Sequence, residues 1–407
     1  MTTIPSEILT EIFIRCSPDG TVENLKNSSL VCSYWQFPAQ YELFSRAVFT
    51  IKSTDAPSPG STPYTTLVNN ERYSYFRSTV HILRLRLKAE NPDLDPGFSK
   101  FLTSLSSVKT LHFADPSDQF LTIDPGEAHA ILRVLLGSPG LNRLIVDTAT
   151  FPLFILPYAK HISCLSWSSA IPIIAQSPKW IPPEVSTGTS PVLSSLTSIQ
   201  LGGTSKSAFL FTQWNHGIEQ WAGVSYISFA KLRRLTLRLD DFKFNLRRLF
   251  NPFTLITHLT LHCTIHAFLN SPLCLDVRLL QNLLSFTFKA NTLKDDEYLP
   301  FPRSVMMVLH HWAFPIIRSL SHPQKLRDLE INILSAIVQS PSETLSDPLV
   351  PAAHHLLNSL VMTRYPKLQR FRFCVPWLTH NEVLSTFSDL RNAGIEVSSL
   401  PLDSDHM

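Results

Sequence analysis

A six-residue pattern of apolar positions recurs along most of the chain from residue 80 onward. It has the form apolar-x-x-apolar-x-apolar, as at Leu232, Leu235 and Leu237, and its last two apolar residues alternate as on a half-buried strand. The ten copies of this hexad begin at Val80, Val108, Leu141, Ile162, Leu196, Leu232, Ile256, Leu283, Leu326 and Leu368. Helical patterns lie between copies, for example at 98–105 and 128–135, so we expect strands that alternate with helices.

This alternation resembles leucine-rich repeats, whose strands stack side by side into a curved parallel sheet. The resemblance covers most of residues 70–397 and implies an α/β solenoid. Successive copies begin 21 to 43 residues apart, whereas regular repeats are about 20–29 residues long, so we expect an irregular solenoid with long insertions. The usual Asn or Cys three residues beyond the hexad occurs once, as Asn291, so the turns must be closed by other means. The alternative is an ordinary α/β domain in which the hexads simply mark strands.

A different pattern occupies the first 49 residues. Apolar residues at positions 8, 9, 12 and 13 share one helical face after Pro5, and breaker residues follow at 16–20. Helical spacing then resumes through Leu30, Val31 and Trp35. We therefore expect three short helices, and so small a unit leaves an apolar face that requires a partner.

This segment resembles the F-box, the module that docks to a Skp-type adaptor within cullin-based ubiquitin ligases. The matching residues are Ile4-Pro5, Glu7-Ile8-Leu9, Ile12-Phe13, Ser29-Leu30-Val31-Cys32, Trp35 and Leu43-Phe44. The segment departs from the family pattern at Ile4, where Leu is usual, at Ser33-Tyr34, where a basic residue is common, and at Gln36, where Arg is common. The resemblance implies an adaptor-binding surface formed by Ile4, Pro5, Leu9, Ile12, Leu30, Val31 and Trp35. The alternative is an ordinary helical subdomain packed on the rest of the chain.

The two resemblances together give an expected domain organisation. We expect the F-box at residues 1–49, a linker or loop rich in Ser, Thr and Pro at 50–69, the solenoid at 70–397 and a C-terminal tail at 398–407. An adaptor-docking module followed by a repeat surface is the arrangement of F-box proteins with leucine-rich repeats. This resemblance implies a substrate receptor, with a non-ligase interaction scaffold as the alternative.

Composition narrows the possible partners and compartments. Lys and Arg number 35 and Asp and Glu 32, a net charge of +3, so we expect no bulk attraction to nucleic acid or to an anionic membrane. The six cysteines are scattered without a C-x-x-C pair, as is typical of reduced thiols in a cytoplasmic or nuclear protein. The N-terminus does not have the pattern of a secretory signal, and no stretch has the roughly 20 apolar residues of a membrane span.

Catalytic and metal-binding patterns are weak, so we expect neither an enzyme nor a cofactor. The chain has no G-x-S-x-G, H-E-x-x-H or kinase signature. The strongest metal candidate is the series His258, His262 and His266, but the residues between them alternate as on a strand. Strand residues four apart lie about 13 Å from each other, too far to share one ion. The pairs at 310–311 and 354–355 are interpreted as surface or capping histidines.

The outward positions of the hexads predict what the repeat surface binds. If the fourth and sixth residues point inward, the third, fifth and seventh point to the open face. Those positions hold eight basic residues, Arg84, Arg86, Arg143, Arg234, Arg238, Lys289, Arg370 and Arg372, and three acidic ones, Asp147, Asp328 and Glu330. We therefore expect an acidic or phosphorylated target bound by Arg234, Arg238, Arg370 and Arg372. These positions hold no aromatic residue for base stacking, which disfavours nucleic acid, and ordinary solvated charge is the other interpretation of the face.

Overall fold

A computed structural model of the chain describes residues 46–52, 69, 74–88, 96–115, 132–148, 150–168, 171–173, 193–202, 211, 227–239, 250, 253–264, 277–292, 309, 313–335, 349–375 and 378–399. The chain forms two compact units. Unit 1 comprises residues 1–163, 172–193 and 405–407, and unit 2 comprises residues 164–171 and 194–404. The predicted adaptor-binding residues, Ile4 to Trp35, lie outside the described residues.

Unit 1 contains a run of parallel strands in chain order. They are β1 (Arg46–Lys52), β2 (Ile82–Lys88), β3 (Thr110–Asp115) and β4 (Arg143–Thr148). Each pairs in parallel with the next. Helices α1 (Ser74–Thr79) and α2 (Pro96–Ser104) lie between strands, and the short strand β5 (Thr150–Pro152) and a 3₁₀-helix at Leu153–Tyr158 follow β4.

Unit 2 continues the same alternation over a longer stretch of chain. Its parallel strands are β6 (Cys164–Ser168), β8 (Ser198–Gly202), β9 (Arg234–Leu239), β10 (His258–Thr264), β11 (Ser285–Thr292), β12 (Asp328–Ser335), β13 (Arg370–Cys374) and β14 (Glu396–Ser398); the three-residue strand β7 (Ile171–Ile173) spans the boundary between the units. The helices are α3 (Phe314–Ser319), α4 (Leu349–Arg364), α5 (His380–Thr386) and α6 (Ser388–Asn392), with 3₁₀-helices at Val277–Leu279 and Pro323–Lys325. The strands pair in the order in which they occur in the chain.

The structure confirms all ten predicted hexads as strands. Each strand from β2 to β13, apart from the short β5 and β7, begins at the third residue of a hexad. The apolar residues at the first, fourth and sixth positions are all buried, and none is more than 6% exposed. Large side chains complete the interior; the Trp167 and Phe211 rings, for example, lie 4.9 Å apart between centroids. The hexad is thus the part of the sequence that builds the core.

Main-chain hydrogen bonds link the start of each copy to the start of the next. The carbonyl of Arg233, at the second hexad position, accepts from the amides of Thr257 at 2.9 Å and His258 at 3.0 Å in the next copy. The carbonyls of Thr257, Leu284 and Arg327 accept in the same way from the copy that follows each of them. The amide of the first hexad residue also bonds back three residues, as Leu368 does to the Tyr365 carbonyl at 3.1 Å. Backbone groups therefore supply the described hydrogen bonds at the start of each copy, and Asn291 itself is exposed.

Strand register keeps equivalent hexad positions side by side. From β9 to β13, the third positions align as Arg234, His258, Ser285, Asp328 and Arg370. Within each unit the molecule is therefore a parallel α/β structure whose strand order follows the chain, as in a solenoid.

The strand series begins earlier and ends later than the hexads predict. Strand β1 pairs over its whole length with β2, so the expected boundary at residue 49 falls inside a strand. By this register Ala47 occupies the fourth position, too small a residue for the hexad pattern to include. Strand β14 pairs with β13 although Gly394 and Ser399 occupy the first and sixth positions.

Candidate binding face

From β9 to β14, the outward face of unit 2 consists of three rows of mostly polar side chains, of which Asn332 and Cys374 in the seventh-position row are buried. The third-position row is Arg234, His258, Ser285, Asp328, Arg370 and Glu396; the fifth-position row is Thr236, Thr260, Thr287, Glu330, Arg372 and Ser398; the seventh-position row is Arg238, His262, Lys289, Asn332 and Cys374. Neighbours in a row are about 4.8 Å apart, the spacing of paired strands. Because the fourth and sixth side chains are buried, this face is the one on which a ligand can lie.

On β12, β13 and β14 basic and acidic side chains lie next to one another on the face. Arg370 donates from Nε to Asp328 Oδ1 at 2.5 Å, and this hydrogen bond, together with the charges of Asp328 and Glu396, raises the pKa of the arginine. Lys289, on the neighbouring β11, places its Nζ 3.9 Å from Glu330 Oε1. Asp328 and Glu330 therefore already have cationic partners from the same face.

A shallow cleft of about 210 Å³ lies on this charge-paired part of the face. Its lining residues are His258, Ser285, Thr287, Asp328, Leu329, Glu330, Arg370 and Arg372. The cleft holds both acidic and basic side chains, so it offers no surplus of charge of either sign.

On β9 and β10 the face is cationic. Arg234 and Arg238 are exposed and lie beside His258 and His262, with the hydroxyl of Thr236 between the two arginines. Among the described residues neither arginine has a carboxylate partner. Burial, and then the Arg234 charge, lower the pKa of His258, while Asp328 acts in the opposite direction.

The structure places the four predicted target-binding arginines in two separate groups. Arg234 and Arg238 share β9, whereas Arg370 and Arg372 share β13. Four strand spacings separate β9 from β13, which is about 19 Å at the usual distance between strands. The two pairs therefore do not converge on one small group.

The first two histidines of the candidate metal site lie on a strand, as the alternating sequence pattern predicts. His258 and His262 are the third and seventh residues of a hexad on β10, four residues apart on one strand, and His266 lies outside the described residues. No group of three potential metal ligands occurs among the residues that the structure places. Cys164, Cys263 and Cys374 form no disulfide, and burial raises the pKa of the Cys263 thiol. None of the helices in the described ranges has the length and apolar character to cross a membrane.

His354 is a buried residue that the sequence interpretation placed at the surface. It lies on α4 with 6% exposure, and its ring centroid is 5.5 Å from that of Phe373 and 6.1 Å from that of Phe387. Burial lowers its pKa to about 4. The signal was present in the sequence, because residues 354, 357, 361 and 365 form one buried helical stripe.

Comparison with known proteins does not assign the chain to a family. No protein-family model matches the chain, and no curated protein is significantly similar to it. Any functional conclusion therefore rests on the sequence motifs and on the face built by the hexads.

Proposed function

We propose that this protein is the substrate-recognition subunit of a Skp/cullin/F-box ubiquitin ligase. The N-terminal segment docks to the Skp-type adaptor, and through it to the cullin, while the parallel-strand region captures a target protein. The observation that carries the proposal is the combination of the F-box-like residues, Ile4 to Phe44, with a broad polar face built from in-register strands in unit 2. None of the three described cysteines forms a disulfide, which supports a cytoplasmic or nuclear location.

In this role the protein contributes placement rather than bond chemistry. A receptor that holds its target near a ubiquitin-loaded enzyme raises the effective concentration of the target's amino groups. Such a task requires two binding surfaces and no catalytic group of the receptor's own. The extended rows of side chains on unit 2 fit capture of a protein segment better than enclosure of a small molecule, since the cleft among them is shallow.

The second candidate function is an interaction scaffold without a ligase role. It is supported by the departures of Ser33, Tyr34 and Gln36 from the F-box pattern, which would weaken adaptor docking without altering the helices. A scaffold of this kind would use the same strand face for its partner. Adaptor binding is what separates the two functions.

Co-purification of the full-length chain with a Skp-type adaptor tests the proposal. We expect a stable complex, and we expect the double variant Leu9→Ala, Leu30→Ala to lose about 2 kcal/mol of binding free energy, roughly thirtyfold in affinity. The matched control is Val134→Ala with Leu255→Ala, two apolar side chains exposed at the surface, which should bind the adaptor as the wild type does. Absence of the complex for the folded wild-type protein would reject the ligase function and favour the scaffold.

A further inference from the structure

From β9 to β14, the outward face of unit 2 is electrically asymmetric. On β9, β10 and β11, its nine positions hold Arg234, Arg238 and Lys289, and none is acidic. On β12, β13 and β14, two arginines face three carboxylates, those of Asp328, Glu330 and Glu396. From β9 to β14 of unit 2, the positive charge is therefore concentrated on β9, β10 and β11.

The arginines differ in what they can offer a ligand. Arg370 already donates to Asp328, so an incoming anion would have to displace a carboxylate. Arg234 and Arg238 are exposed, and in the described part of the chain no carboxylate pairs with either. A guanidinium that is not engaged by a carboxylate can give both of its parallel donors to a phosphate or a carboxylate of a ligand, and among the described residues this holds for Arg234 and Arg238.

The spacing of the two arginines limits the shape of the ligand. Arg234 and Arg238 are four residues apart on β9, about 13 Å along an extended strand. Between them and toward β11 runs a row of threonine hydroxyls, Thr236, Thr260 and Thr287, which can bond to peptide groups without adding charge. An extended peptide with anionic groups four residues apart has the same span of about 13 Å.

We propose that the β9–β11 face binds an extended, phosphorylated segment of the partner protein, with one phosphate at Arg234 and a second anionic group at Arg238. The inference rests on the proposed function to the extent that a captured protein occupies this face. It assigns binding to the cationic strands and gives Arg370 and Arg372 a minor part. A phosphoserine has a charge close to −2 near neutral pH and three acceptor oxygens, which suits paired Arg donors.

The test measures binding of a fluorescent ten-residue peptide pool to the full-length protein by anisotropy at physiological salt. The pool has phosphoserine fixed at positions 3 and 7 and degenerate uncharged residues elsewhere. We expect the phosphorylated pool to bind and the pool with serine at both positions to bind at least about tenfold more weakly. Failure of the phosphorylated pool to bind better than the serine pool would overturn the proposal.

Two double variants make a matched comparison, because each removes two positive charges from the same face. Arg234→Gln with Arg238→Gln should weaken binding of the phosphorylated pool by about tenfold or more, whereas Arg370→Gln with Arg372→Gln should change it by less than about threefold. The reverse order, or equal losses, would contradict the assignment to β9–β11. The first variant must give the wild-type circular dichroism spectrum and melting curve before the comparison is made.

Other polyanions are outcomes of the same experiment. Two probes are compared with the peptide pool, a twelve-nucleotide oligo(dT) and vesicles containing phosphatidylserine. Tighter binding of either probe than of the peptide pool, with loss of that binding in the variant Arg234→Gln with Arg238→Gln, would overturn the choice of a phosphorylated protein segment. Adaptor co-purification of this variant should equal that of the wild type. Loss of peptide binding with the adaptor complex intact thus tests this inference, whereas a missing adaptor complex with peptide binding intact counts only against the ligase function.

Discussion

Protonation of His354 should destabilise the folded protein in mild acid. The ring is buried on α4 against Phe373 and Phe387, and burial lowers its pKa from 6.5 to about 4. A difference of about 2.5 pH units between the unfolded and folded states corresponds to about 3 kcal/mol of unfolding free energy. This is an upper value, because any opening of the aromatic cluster in acid would let the ring take up its proton at lower cost.

The direction of the effect follows from which state binds the proton. Between pH 6.5 and about 4 the unfolded chain holds a proton on His354 and the folded chain does not, so acid favours unfolding. The stabilising contribution is complete above pH 6.5 and is lost as the pH falls through this window. Below about pH 4 both states are protonated and the contribution of this residue no longer changes.

The measurement compares urea unfolding of the wild type and His354→Gln from pH 7.5 to pH 4, followed by the fluorescence of tryptophan, which includes the buried Trp167 of unit 2. As the pH falls over this range, the unfolding free energy of the wild type should decrease by up to about 3 kcal/mol more than that of the variant. Using the difference removes the titration of carboxylates common to both proteins. The matched control is His355→Gln, an exposed neighbour on the same helix, which should retain the wild-type pH dependence.

A parallel pH dependence for the wild type and His354→Gln would refute the reasoning, since it would mean that the ring gains and loses its proton equally in both states. A variant that is less stable at every pH by a constant amount would have the same meaning. Such an offset would report lost packing of the ring against Phe373 and Phe387 and no differential protonation.

Three further substitutions test the packing and the turns. Leu259→Ala should lower the free energy of unfolding by about 2–5 kcal/mol in chemical denaturation, because this hexad residue is buried. Thr260→Ala beside it should lower it by under about 0.5 kcal/mol, and equal losses would contradict the assignment of inward and outward positions. Thr379→Ala removes the capping box of α5 and should raise the rate of amide hydrogen exchange across residues 380–386 by an amount equivalent to about 1 kcal/mol. The control is Thr363→Ala, an exposed residue on α4, which should leave exchange in α5 unchanged. Tyr365→Phe should cost about 1–3 kcal/mol, because the buried hydroxyl donates to the Ile317 carbonyl; wild-type stability in this variant would show that the carbonyl finds another donor.

The strands were predictable from the sequence because burial alone dictates the hexad. Every first, fourth and sixth position is apolar and buried, so periodicity was a sufficient signal. Strands β1 and β14 were missed because their pairing depends on backbone hydrogen bonds to a neighbour and tolerates Ala47 and Gly394 at positions the pattern reserves for larger residues. Gly394 has a φ of 83°, a backbone conformation that glycine adopts without strain at the end of a helix.

The binding face was predictable in its composition and not in its electrostatics. Counting outward residues correctly placed Arg234, Arg238, Arg370 and Arg372 on one side of the strands. The count could not show that Asp328 binds Arg370, because the two residues are 42 positions apart and meet only through the register of β12 and β13. His354 was misassigned for a related reason, since its environment depends on Phe373 and Phe387, which reach it from other elements.

Because main-chain hydrogen bonds join the start of each copy to the next, the geometry of the face does not depend on the length of the segments that connect its strands. Strands β9 and β10 begin 24 residues apart and β11 and β12 begin 43 residues apart, yet both pairs align third position with third position. Insertions and deletions between copies can therefore accumulate without moving any side chain from one row to another. A chain of this kind can change its partner in two independent ways, by single substitutions within a row or by replacing a whole connecting segment. For engineering, we expect that a connecting segment of different length can be exchanged into this chain while the existing rows remain in register.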